Sequence, residues 1–79
     1  MDKIEKFLQR LTTKELQRVL AVIHQIQSQD LTALDIKKIA NRKDILRVRV
    51  GSIRIFIIID GRGKYHIFSI QRRSDVTYN

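Results

Sequence analysis

Four arginines carry the pattern in this chain that points most directly to chemistry. Arg47 and Arg49 stand two apart in ILRVRV, Arg54 follows a short turn in SIRIF, and Arg73 lies in QRRSDV after the last apolar run. Side chains alternate faces along a strand, so Arg47 and Arg49 share one face. With Gly51-Ser52 as a two-residue hairpin turn, Val50 faces Ile53, Arg49 faces Arg54, Val48 faces Ile55 and Arg47 faces Phe56. Like charges directly opposite destabilise a sheet. A guanidinium keeps its charge and presents a planar fork of donors that matches a phosphate. The expectation is therefore an anion site. The blander alternative is that Arg47, Arg49 and Arg54 merely solvate the open face of an antiparallel sheet. Three arginines with no acid on the same strands would be poor design for solubility alone.

The elements that must position these residues follow from patterning. Residues 45–70 read as three short strands joined by tight turns at Gly51-Ser52 and Gly61-Arg62. A two-residue second turn puts Ile59 opposite Lys64, Phe56 opposite Ile67 and Arg54 opposite Ser69. One face then carries Leu46, Val48, Val50, Ile53, Ile55, Ile57, Phe68 and Ile70. The other carries Arg47, Arg49, Arg54, Phe56, Ile58, Tyr65, Ile67, Ser69, Gln71 and Arg73. A one-residue slip would swap a strand's faces, so the assignment depends on both turns.

Ahead of the sheet, Ile4, Phe7, Leu8 and Leu11 follow helical spacing, as do Leu16, Val19, Leu20, Ile23 and Ile26. Thr12 and Glu15 fit a capping box that starts the second helix. A helical hairpin over about residues 2–27 is the natural cover for the apolar face. Residues 31–40, LTALDIKKIA, suit a short helix or an irregular packed segment, and residues 41–44 form a charged turn. The fold class is α+β, a helical hairpin on a three-stranded antiparallel sheet, and the division is one domain over residues 1–79.

Composition narrows the partners. The chain has 79 residues and a net charge of +8, from 16 Lys+Arg against 8 Asp+Glu, with a pI near 10.5. That balance points to a polyanion or an acidic protein. Cysteine is absent, which excludes disulfides and thiolate metal sites and suits a reducing cytoplasm. No apolar run reaches membrane-spanning length and no signal-peptide pattern opens the chain. Gly61-Arg62-Gly63 is turn chemistry rather than a phosphate loop, since no helix follows it. Nothing has metal-ligand spacing, and no cofactor is implied.

The run LDIKKIANRKDILRVRVGSIRIFIIID followed by QRRSDV resembles the RelE/ParE superfamily of toxin–antitoxin systems over nearly the whole chain. Leu46-Arg47-Val48-Arg49-Val50-Gly51, Ile53-Arg54-Ile55 and Arg73-Ser74-Asp75-Val76 carry it. The resemblance implies a compact toxin with a basic sheet surface, neutralised by an acidic cognate antitoxin in the cytoplasm. RelE-like members cleave mRNA on the ribosome with basic strand residues, a basic residue near the C-terminus and often a tyrosine. By position, Arg47, Arg49, Arg54 and Arg73 are the catalytic candidates, with Tyr78 for proton transfer or base stacking. ParE-like members inhibit DNA gyrase instead, and a degenerate member would only bind antitoxin or nucleic acid.

Three departures from the family bear on this. Its usual first strand is missing, which leaves a bare sheet edge for a partner to pair with. The tyrosine position falls near Thr77, one residue before Tyr78. Arg47 and Arg49 stand where some relatives use lysine. Arginine stabilises phosphate charge well but does not take a proton, so a general base must come from Tyr78, His66, Asp75 or a lysine. His66 falls on the apolar-face side near a turn. Phe56 and Tyr65 are the candidate base-stacking rings. Lys37, Lys38, Arg42 and Lys43 read as a solvated basic run, and His24 as a structural residue.

Overall fold

Two side-chain caps start the two helices. In the computed structural model, which describes residues 2–39 and 41–72, the Asp2 carboxylate accepts from Glu5 N at 2.8 Å and opens α1, Lys3–Gln9. Thr12 Oγ1 accepts from Glu15 N at 3.2 Å, and Glu15 Oε1 accepts from Thr12 N at 3.1 Å. This capping box satisfies two otherwise unpaired donors and opens α2, Thr13–Gln27. Both helices lie on one face of a single sheet, α1 against the last strand and α2 across the second and last strands.

The sheet has four antiparallel strands in the order of the chain: β1 Asp35–Lys38, β2 Ile45–Val50, β3 Ile53–Ile59 and β4 Tyr65–Arg72. The first of these corrects the expected three-stranded sheet, because residues 31–40 contain a strand where a helix or irregular segment was expected. Ile36 opposite Val48 and Lys38 opposite Leu46 are the β1 residues on the helix side, and of the two Ile36 packs against the core. β1 pairs along β2, and β1 and β4 are the outer strands of the described sheet. β1 is a suitable outer strand, since it is short and exposes Lys37 and Lys38.

The first hairpin has the expected register, Val50 opposite Ile53 through Arg47 opposite Phe56. Gly51 takes φ +61° at the first turn position, where a side chain would be strained. The second hairpin differs. Its loop has three residues, closed by Asp60 N donating to Lys64 O at 2.9 Å. Gly63, with φ +81°, occupies the left-handed position, and the Asp60 carboxylate accepts from Arg62 N and Lys64 N. That is the three-residue hairpin geometry. Ile59 therefore faces Tyr65 rather than Lys64, and Ile57 faces Ile67.

A bulge then follows. Phe56 faces Ser69 while Ile57 faces Ile67, so Phe68 is the extra residue on β4. The longer turn and the bulge each shift the register by one. Between them, Tyr65 and Ile67 turn to the helices, and His66 turns to the open face. Phe68 leaves the covered face and is 49% exposed. Beyond the bulge the two shifts add to an even number, so Ile70 and Gln71 keep the faces the sequence predicts. The core joins Val19 and Ile26 of α2 to Leu46, Val48, Val50, Ile53, Ile55, Ile57 and Ile70.

Candidate functional site

The side of the sheet that neither described helix covers collects the charged residues in cross-strand rows. Register aligns Asp35, Arg49, Arg54 and Gln71 in one row, and Lys37, Arg47, Phe56 and Ser69 in the next. A third row holds Ile45, Ile58 and His66. Directly opposite residues point to the same side of a sheet, so Arg47, Arg49 and Arg54 share one surface with Lys37.

Their exposures differ. Arg49 is exposed, Arg47 is half-buried, and Arg54 is only 6% exposed. Burying a guanidinium is costly and requires compensation. Arg54 thus puts a buried charge at the centre of the face, with the exposed Arg49 opposite it and Arg47 diagonally across. Gln71, the Arg54 partner on β4, donates from Nε2 to Ser69 Oγ at 3.3 Å.

One member of these rows, Asp35, was not singled out from sequence, and another, Lys37, was read there only as part of a solvated basic run. Asp35 lies opposite Arg49, and Lys37 lies opposite Arg47. Their signal was the polar-apolar alternation of Asp35, Ile36 and Lys37, which the wider helical spacing of apolar residues obscured. Asp35 supplies an acid within the arginine row. A carboxylate there can offset the Arg49–Arg54 repulsion, and it can also accept a proton.

His66 is on the arginine side of the sheet rather than the apolar side where the sequence reading put it. Its Nε2 lies 2.7 Å from Asp60 Oδ2. Asp60 sits at the turn, so this contact draws the imidazole toward the turn end of the sheet and away from the arginine rows. The His66 hydrogen bond, joined by the Lys64 and Arg62 backbone donors, holds the Asp60 carboxyl down to about 2. Tyr65 is on the covered side, half-buried against the core. Of the remaining candidates, Arg73, Asp75 and Tyr78 lie outside the described residues.

Arg72 belongs to the covered side. Its guanidinium donates to both oxygens of Glu15, at 2.9 and 3.2 Å, and to Ser52 Oγ at 3.3 Å. These contacts, with the Thr12 backbone donor second, bring the Glu15 carboxyl down to about 2. The α2 capping residue is thus also the anchor for the end of β4.

On the helix side an apolar hollow of about 520 Å³ runs between Ile4, Leu8, Leu20, Ile23, Tyr65 and Ile67. It does not adjoin the arginine rows. Among the described residues no group of three or more His, Asp and Glu side chains could hold a metal ion. No helix among them is long and apolar enough to cross a membrane. The arginine face itself is the surface of a sheet, which suits an extended charged polymer.

No family model and no curated protein matches the sequence. Among solved structures, the chain is similar to one in the crystal structure of the RelB–RelE antitoxin–toxin complex from Methanococcus jannaschii. The TM-score is 0.76 and the identity 26%, over 92% of this chain and 88% of that one. The element order, the covered and open faces of the sheet and this likeness agree: the fold is that of a component of a toxin–antitoxin system.

Proposed function

We propose that this chain is the toxin of a type II toxin–antitoxin pair, and that it is a metal-independent endoribonuclease acting on mRNA at the ribosome. The observation that carries the reading is the Arg49–Arg54 cross-strand pair, with Arg54 nine-tenths buried on the uncovered face. Such a pair opposes sheet formation and becomes favourable when a phosphate lies between the two guanidinium groups. Arg47, Arg49 and Arg54 hold the RNA backbone and stabilise charge on the scissile phosphate. Arg73 and Tyr78 join them on the strength of the sequence resemblance, Tyr78 in proton transfer or stacking. Asp35, in the arginine row, is a further proton acceptor. The natural partner is an acidic antitoxin, drawn by the charge of +8 and shielding the same surface.

Asp35 opposite Arg49 also supports a second reading. Here the face is partly neutralised from within and only binds, as in a gyrase inhibitor or a non-cleaving member of the fold. Expression of the wild type and of Arg54→Ala and Arg73→Ala variants in cells separates the two. A nuclease arrests growth and leaves new mRNA 5′ ends in translated regions. Each substitution should lower cleavage by about 100-fold, with circular dichroism showing the variants folded. Growth arrest with intact mRNA supports gyrase inhibition, and no arrest from a folded wild type supports a binder.

A further inference from the structure

At the β4 bulge a second aromatic ring lies beside the arginine rows. Phe68 is the inserted residue, opposite Phe56 together with Ser69, and it is 49% exposed. Its ring centroid lies 6.2 Å from that of Phe56, with the planes tilted by 46°. Phe56 faces Arg47 across β2 and lies two residues along β3 from Arg54, a step of roughly 7 Å. The three-residue turn sets the parity that brings Phe68 to the side of Phe56, and the bulge after it returns Ile70 to the core. A large apolar ring is thereby left half exposed outside the core.

We propose that Phe68, backed by Phe56, is a stacking platform for one unpaired nucleobase of a single-stranded RNA. The phosphates flanking that base lie on Arg47 and Arg54. This rests on the nucleic-acid reading of the arginine face and adds to it the part of the substrate that the rings take. Arginines recognise only phosphate, which duplex and single strand share. An exposed ring discriminates, because its face is complementary to a base that has left its own stack. The chemistry fits a base better than a protein partner. Around Phe68 the polar Ser69 and Gln71 and the charged Lys3 stand beside Ile4 and Ile70, so polar groups flank the ring. Ring stacking ignores base identity, so the platform gives a preference for single strands without a sequence preference.

The test is binding of a short single-stranded RNA, 2′-O-methylated to block cleavage, against an abasic ribose-phosphate strand of equal length. Fluorescence anisotropy is measured for the full chain and for Phe68→Leu, Phe68→Ala and Phe68→Trp. Phe68 is half exposed, and thermal melts check that the variants fold. The expected result is that Phe68→Leu and Phe68→Ala bind the RNA about ten-fold more weakly, as loss of a base–aromatic stack implies, while abasic binding is unchanged. Emission from Phe68→Trp should change on saturation with RNA and stay constant with the abasic strand. Equal RNA affinity for wild type and Phe68→Leu overturns the platform and leaves the arginine face standing. A wild type that binds neither strand overturns both. Variants that keep RNA affinity but lose an acidic protein partner would make Phe68 a protein contact and overturn the proposal.

Discussion

On the covered side of the sheet, Val48 and Ile55 face each other across β2 and β3 and are wholly buried. One residue along each strand, on the open side, Arg49 and Arg54 face each other instead. The two pairs share strands and a turn and point to opposite faces of the sheet. The valine–isoleucine pair gains from losing water, about 1.5–3 kcal/mol for each buried side chain. The arginine pair loses from proximity. A sheet this small keeps a repulsive pair at its centre only if the covered side holds the fold by itself. The difference teaches that stability and binding are divided between the faces, so substitutions on each should separate cleanly.

The largest test of that division is Ile55→Asp. A carboxylate beneath α2 would be a buried charge without a partner, at a cost of about 4 kcal/mol or more. The expected outcome is loss of the cooperative thermal transition, followed by circular dichroism. Arg49→Ser, one strand over on the open side, should melt within a few degrees of the wild type. A folded Ile55→Asp variant would mean that the faces are inverted.

Asp35→Asn tests a smaller term, the balance of charge within the open row. It removes the acid opposite Arg49 and leaves Arg49 facing only Arg54. The expected loss is about 0.5 kcal/mol, visible in urea denaturation at low salt and reduced at high salt. Adding Arg49→Thr should restore most of it, because the repulsion then has no second member. An unchanged midpoint in the single variant would show that Asp35 does not compensate the arginines.

A third effect is confined to acid and belongs to the covered side. The Glu15 carboxyl titrates at about 2 in the folded protein and near its ordinary 4.5 when unfolded. Its contribution is present above pH 4.5 and is lost as the pH falls from there toward 2. Glu15→Gln should therefore melt below the wild type at pH 7, and the gap should close across that window. Asp60, also held at about 2, adds a loss of the same sign that both proteins share. A gap that stays constant down to pH 2 would mean that Glu15 is not ion-paired with Arg72 in solution.

The first hairpin was legible because Gly51-Ser52 is flanked on both sides by β-branched residues, which fixes the turn and hence the register. That alone brought Arg47, Arg49 and Arg54 to one surface. The second was not, because glycines at both 61 and 63 offer two places for a left-handed residue and the sequence does not choose between them. The choice is made by Asp60, whose carboxylate gathers the loop amides. The bulge has no local mark either, since Phe68 lies in a continuous strand pattern. β1 was hidden for another reason. It buries one residue, Ile36, and its identity comes from pairing with β2 rather than from its own four residues. Asp35, Lys37 and Phe68 went unnoticed as site members through these same gaps, and Tyr65 and His66 were assigned to exchanged faces.

The Glu15–Arg72 contact also bears on how the chain assembles. In the strand order β1-β2-β3-β4, each strand pairs with its neighbour in sequence, so the sheet can grow one hairpin at a time at modest entropic cost. Glu15 and Arg72 are 57 residues apart. Their meeting closes a loop around all four strands and requires both α2 and the far end of β4 to be in place. It is therefore expected to form late, after the hairpins, and to slow unfolding more than it speeds folding. A chain synthesised only through β3 has the capped helix and the arginine pair but no such closure. Kinetic persistence is then acquired only once the far end of β4 has been made.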